Sequence, residues 1–284
     1  MTATTDEFKK SRSVATSLRR RVVAGVALAV VGIGTIFWRP AFDVLVYLIA
    51  VGALWELHKL DERKGSPLYW PVALAAVSGY VALASFDHLQ RYERYLIELT
   101  IPAAFLYGLL RPGSSYLLRT AVTVIAVLYI GKLISYYIVL RNMEPDGLPL
   151  TIYAVVLVAL TDTASMLVGI RFGRHRLTPV SPRKTVEGAA GGFAVAVIVG
   201  VVAGMMAPLR FAPWQAALIS AATSLAAILG DLVESALKRD ARVKDAGSAI
   251  GGHGGVLDRF DSYLFSGIAY YWMLHLLRGI PFVR

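Results

Sequence analysis

Apolar residues in this chain come in long blocks separated by short polar, charge-rich segments. The blocks fall at residues 22–38, 41–57, 69–86, 95–110, 121–140, 148–170, 189–207, 214–237 and 260–277. Most reach the about 17–25 residues that an α-helix needs to cross ~30 Å of hydrocarbon. The pattern predicts an all-α polytopic membrane protein with about nine transmembrane helices. The fourth block is the weakest, because Glu98 and Pro102 interrupt it. No repeat is visible, nor the inverted two-half symmetry common in transporters. A basic stretch before an apolar block can mimic a signal peptide. Here Trp38-Arg39-Pro40 follows the block where small residues would be needed for cleavage, so it is expected to stay as a first helix. The expected organisation is a basic segment at 1–21, an N-terminal group of helices at 22–147 and a C-terminal catalytic region at 148–284.

Composition agrees with this pattern. Hydrophobic residues make up 56% of the chain and the mean hydropathy is +0.59, against about 45–50% apolar residues in ordinary globular proteins. The formal charge of +10 does not point to nucleic acid, because the cations lie in the segments between blocks. If the N-terminus is cytoplasmic, the other side keeps only Arg39, Arg91, Arg94, Arg141, Arg210, Arg278 and Arg284. Nearly all the remaining Lys and Arg then fall in the cytoplasm, the bias that sets membrane-protein orientation and attracts anionic headgroups. The absence of cysteine excludes disulfides, thiolate metal sites and a Cys nucleophile. Three ionisable groups fall in or near the early blocks. Lys132 lies inside one, whereas Glu56 and Glu98 lie near block ends and are expected to reach water.

The chemistry concentrates in residues 235–261, between the last two blocks. This stretch carries Lys238, Arg239, Arg242 and Lys244-Asp245, then Gly251-Gly252-His253-Gly254-Gly255, then Asp258, Arg259 and Asp261. Cations and exposed backbone amides suit a polyphosphate, and spaced carboxylates suit the hard cation that accompanies one. Just upstream, Asp231, Glu234, Ser235 and Lys238 share one helical face. In so apolar a helix that face must meet a polar cavity or a partner charge; a structural Asp–Lys pair is the simpler alternative. Asp258 and Asp261, one turn apart, could equally cap the last helix. If the two helices are antiparallel neighbours, Asp231, Asp258 and Asp261 become candidate ligands for one or two cations. His253 is a candidate donor to phosphate or to a leaving group.

A second cluster follows the sixth block. Asp162 stands among Leu and Val and needs a partner. After it come Arg171, Arg174, His175 and Arg176, then Ser181-Pro-Arg-Lys184-Thr185-Val-Glu187-Gly. Lys184 and Thr185 have the chemistry for phosphate contact, and Glu187 for orienting a lysine or binding a metal. Topological anchoring explains the arginines equally well.

These two stretches resemble the phosphatidate cytidylyltransferases, or CDP-diacylglycerol synthases. The signature S-x-x-K-R, K-D, H-G-G, D-R and D is filled by Ser235, Lys238, Arg239, Lys244, Asp245, His253, Gly254, Gly255, Asp258, Arg259 and Asp261. Asp162 and the run at 181–188 also look like that family. The resemblance implies transfer of the cytidylyl group of CTP to phosphatidic acid, with Mg²⁺ as cofactor and a second, monovalent cation such as K⁺ as a further expectation. On that reading Asp231, Asp258 and Asp261 are the expected metal ligands, and Lys238, Arg239, Lys244, Asp245, His253 and Arg259 are expected to have catalytic roles. Substrate contacts would come from Asp162, Ser181, Lys184, Thr185, Glu187, Ser235, Gly254 and Gly255. It further implies a homodimer; the basic loops place the active site on the cytoplasmic face, and the lack of a transit-like Ser/Arg presequence favours a bacterial cytoplasmic membrane. A CTP-dependent lipid kinase and an ion transporter are the competing readings.

Overall fold

A computed structural model describes residues 32–111, 113, 115–206, 208–243, 246–247 and 254–278. Among them the chain is helical and forms no strand. The helices are α1 (Arg39–Arg63), α2 (Trp70–Ser85), α3 (Leu89–Leu110), α4 (Tyr116–Ala126), α5 (Leu133–Asn142), α6 (Gly147–Phe172), α7 (Val186–Met205), α8 (Pro213–Asp240) and α9 (Leu257–Arg278). A π-helical turn, Val127–Lys132, joins α4 and α5 into one continuous rod. Each block expected from residue 41 onward falls on one of these helices or on that rod. Of the first block, residues 22–31 lie outside the described residues. Among the described residues, five helices are long and apolar enough to cross a membrane: α1, the Tyr116–Asn142 rod, α6, α7 and α8.

Local sequence sets the boundaries. Proline in the first turn starts α1, α2 and α8, where its missing N–H costs nothing and its φ suits a helix. The hydroxyl of Thr185 accepts the Gly188 amide and caps α7. Pro102 sits inside α3 without ending it.

The helices alternate in direction. At one end of the bundle Arg39 on α1 donates to the Asn142 carbonyl (2.8 Å), Asn142 donates to Ala84 (3.1 Å) and Gln215 donates to Leu277 (2.9 Å). At the other end Arg119 donates to Pro67 (2.9 Å), Lys64 pairs with Asp240 and Arg239 donates to Val180 (3.2 Å). Segments expected to share a membrane face therefore lie together, and both charge-rich loops occupy the second end.

One buried cluster runs through both halves of the chain, from Phe42, Leu54 and Tyr80 to Leu157, Leu264 and Tyr270. Beside it α7 turns Gly188, Gly192, Ala196, Gly200 and Gly204 inward. Small residues at four-residue spacing let helices approach closely where apolar lipid gives little drive for association. Tyr153 of α6 uses that closeness, donating to the Gly200 carbonyl (2.8 Å) beside the Ser220 hydroxyl of α8 (2.9 Å). The outer surface exposes large apolar side chains such as Phe86, Leu110, Ile198 and Leu276, as a lipid-facing surface requires.

The early charges resolve differently from one another. Lys132, at the end of the π-turn, lies 3.3 Å from Glu93 of α3. Glu98 is exposed on the surface of α3, near the middle of that helix. Glu56 does not reach water: it is 4% exposed and turned into the bundle, because backbone amides of the α8–α9 connection meet it there.

Candidate active site

At the end of the bundle that carries the charged loops, α6, the α6–α7 loop, α8 and the start of α9 enclose a cavity of about 630 Å³. That is within the ~300–1,000 Å³ usual for small-molecule sites. Its wall includes Asp162, Ser181, Arg183, Lys184, Thr185, Asp231, Asp258, Arg259 and Asp261. The two clusters distant in sequence are thus one site.

Each element positions its own contribution. The α6–α7 loop folds back on itself, with the Leu177 amide donating to Lys184 (2.9 Å) and the Val186 amide to His175 (2.9 Å). This turns Lys184 toward α8, where its ammonium lies 2.5 Å from Asp231 Oδ1 and donates to the Ser235 hydroxyl at 3.4 Å. Glu187 serves the same loop. Its carboxylate accepts the amides of Arg174 (3.0 Å) and His175 (3.1 Å), and its other oxygen lies 2.5 Å from His175 Nδ1. Glu187 therefore shapes a loop where a lysine or a metal was expected as its partner.

The α8 face reads as its spacing predicted. Lys238 stands between two carboxylates, 2.5 Å from Glu234 on its own helix and 2.6 Å from Asp258 on α9. Asp258 also accepts the amides of Ala246 (3.0 Å) and Gly255 (2.7 Å). It fastens the chain entering α9 while holding the lysine. Gly254 adopts φ +85°, a region that favours glycine, and a Cβ there would come within 2.9 Å of Asp258 Oδ2. Arg239 turns away from the carboxylates. Its guanidinium donates to the carbonyls of Val180 (3.2 Å) and Val243 (2.9 Å), binding the two loops together. Asp162 accepts the Ser262 hydroxyl at 3.2 Å, joining α6 to α9.

One oxygen from each of Asp231, Glu234 and Asp261 falls within 4.8 Å of the others. Glu234 is fully buried and Asp261 is 7% exposed. Among the described residues, Oε1 of Glu234 has no hydrogen-bond partner. A carboxylate trio with a buried orphan oxygen suits a hard divalent cation with oxygen ligands. Glu234 was legible as part of the polar face of α8 but not as a member of this group. Asp258 lines the same cavity as Asp231 and has Lys238 and two amides on its oxygens. Lys244, Asp245 and His253 lie outside the described residues.

Residues 18–277 match the cytidylyltransferase family, a span that contains every element of this site. The chain belongs to that family. It is 33% identical to the phosphatidate cytidylyltransferase of Bacillus subtilis, covering 91% of this chain and 98% of that one. It is 39% identical to the phosphatidate cytidylyltransferase of Staphylococcus haemolyticus, over 78% and 85% of the two chains. The corresponding protein of Synechocystis is 30% identical over 90% and 95%. The similarity thus includes the N-terminal helices, for which the sequence offered only a pattern of apolar blocks.

Proposed function

We infer that this protein is a phosphatidate cytidylyltransferase. It transfers the cytidylyl group of CTP to phosphatidic acid, giving CDP-diacylglycerol and pyrophosphate. The observation that carries this reading is the cavity itself. Cations of the α6–α7 loop face the carboxylates of α8 and α9 across one space, in a chain related end to end to phosphatidate cytidylyltransferases.

In the reaction a phosphate oxygen of phosphatidic acid attacks the α-phosphorus of CTP. The bond from that phosphorus to the bridging oxygen breaks, and the electron pair leaves with pyrophosphate. The attacking oxygen is anionic near neutral pH, so the main obstacle is bringing two polyanions together. Lys184 and Arg183 line the wall beside the carboxylates and are placed to neutralise phosphate oxygens. Lys238 holds Glu234 and Asp258 in register, and Arg239 keeps the two loops at a fixed separation. Asp231, Glu234 and Asp261 would hold Mg²⁺, with Asp258 at the edge of the set. Bound there, the cation would supply positive charge against the triphosphate. The apolar side chains of Met166 and Ile170 on the same wall suit a lipid arriving sideways from the bilayer.

The wider reading is a nine-span homodimer in a bacterial cytoplasmic membrane, with the N-terminus and active site facing the cytoplasm. In this reading residues 1–21 are its basic cytoplasmic N-terminal segment, 22–147 its N-terminal transmembrane helices and 148–284 its catalytic region. The asymmetry of Lys and Arg between the loops supports the orientation; the dimer rests on the family resemblance alone.

The test is an assay in detergent micelles with α-³²P-CTP, phosphatidic acid and Mg²⁺, with and without EDTA. Label in the lipid fraction, released pyrophosphate and loss of both with EDTA are expected. Transfer of label from γ-³²P-CTP to the lipid would instead make the protein a kinase.

A further inference from the structure

Glu56 lies on α1, far from the signature in sequence, yet its carboxylate closes the turn that carries the signature into α9. Oε1 accepts the Val256 amide at 2.9 Å and Oε2 the Leu257 amide at 2.8 Å. The first amides of a helix have no partner within it, and here a carboxylate from another helix supplies one. The next amide back, Gly255, is taken by Asp258. Two carboxylates therefore hold three consecutive amides.

The fit around Glu56 is close on every side. A Cβ at Gly255 or at Gly247 would collide with its carboxylate, and one at Gly52, a turn earlier on α1, would come within 3.0 Å of Val256. Both ends of the segment 247–255 are thus packed against one buried side chain. Leu257 next to it is fully buried. Asp258 follows at once, and Asp261 of the carboxylate trio is one turn further along the same helix.

We propose that Glu56 is a positioning residue for cytidylyl transfer: it caps α9 from α1 and fixes the turn from which Asp258 and Asp261 project. It touches neither substrate nor metal and acts through the backbone of residues 255–257. This assigns a task in the chemistry to the N-terminal half of the chain. The proposal rests on the cytidylyltransferase reading for its kinetic readout only.

Glu56→Ala and the isosteric Glu56→Gln, in the full-length protein, test it. Removing groups that orient a catalytic shell costs about 10–100-fold in activity. Glu56→Ala should therefore lower kcat by about 10–100-fold while KM for CTP stays within about threefold. Glu56→Gln keeps one acceptor oxygen and should fall between it and the wild type. Hydrogen exchange should quicken at residues 254–261 in both variants and stay unchanged in α6 and α7. Unchanged exchange at 254–261, or kcat within twofold of wild type in both variants, would overturn the proposal. So would exchange that rises equally throughout the bundle, because Glu56 would then serve the fold and not the turn. If Glu56→Ala fails to fold, Glu56→Gln decides alone. An inactive wild type would count against the assigned reaction, whereas an active wild type matched by both variants would count against Glu56.

Discussion

Lys184 and Asp231 face each other across the cavity, ammonium to carboxylate at 2.5 Å. The lysine comes from a loop and the aspartate from the C-terminal third of an apolar helix. The ion pair therefore latches the loop to the carboxylate trio, and the same ammonium is the group placed to meet phosphate. A cation binding Asp231 must compete with it. Lys184→Met should lower kcat/KM for CTP roughly 100-fold, the usual cost of removing one preorganised charge donor. Binding of Mn²⁺ in the absence of nucleotide should be as tight as in the wild type or tighter, because a competing cation is gone. Steady-state kinetics and a Mn²⁺ titration followed by electron paramagnetic resonance check the two signs. Full kcat/KM in the variant would take Lys184 out of the site.

Glu234 is expected to act on the metal and not on the nucleotide. Glu234→Gln keeps the shape of a fully buried side chain while removing its charge. The Mg²⁺ concentration for half-maximal activity should rise about 10–100-fold, with KM for CTP at saturating Mg²⁺ little changed. A Mg²⁺ dependence identical to wild type would dissolve the trio as a metal site.

Asp258 holds Lys238 and the amides of Ala246 and Gly255 at once. Asp258→Ala should abolish turnover while the protein still folds, with a lower melting temperature because a partly buried lysine loses one of its two partners. Asp258→Asn retains an acceptor and should melt closer to wild type. Substantial turnover in Asp258→Ala would remove the residue from the chemistry.

Gly192 on α7 packs onto α6 at Thr161 and Ser165, where a Cβ would lie 2.6 Å from the Thr161 carbonyl and 2.8 Å from the Ser165 amide. Backbone cannot yield as a side chain can, so Gly192→Ala should cost about 1–3 kcal/mol of stability. Because α6 also carries Asp162, activity should be lost at a lower temperature than in the wild type. A thermal denaturation series in detergent measures both, and an unchanged midpoint would show that α6 and α7 pack less closely.

The helices were legible because each buries or exposes a continuous apolar run, and a bilayer demands such runs of a definite length. The carboxylate-bearing face of α8 was legible for a related reason: Asp231, Glu234, Ser235 and Lys238 follow helical spacing. Partnerships across the bundle were not. Nothing near Lys132 in the sequence names Glu93, and Glu56 looks like any carboxylate near the end of an apolar block until the α9 amides are placed above it. Glu187 has the right chemistry for a metal or a lysine, and only the fold of its own loop commits it to the amides of Arg174 and His175. The partners of Asp258, namely Lys238 and the amides of Ala246 and Gly255, were not legible either, because sequence spacing records which helix a side chain is on, not which neighbour reaches it.

The closure of the α9 turn by a residue of α1 also bears on how the protein is made. Glu56 and Val256 are 200 residues apart, so at roughly 5–20 residues per second α1 leaves the ribosome ~10–40 s before its partner amides exist. Through that interval an apolar helix carries a carboxylate whose final partners have not been synthesised. A nascent chain stopped before α9 keeps that carboxylate without the two amides that hold it in the finished protein.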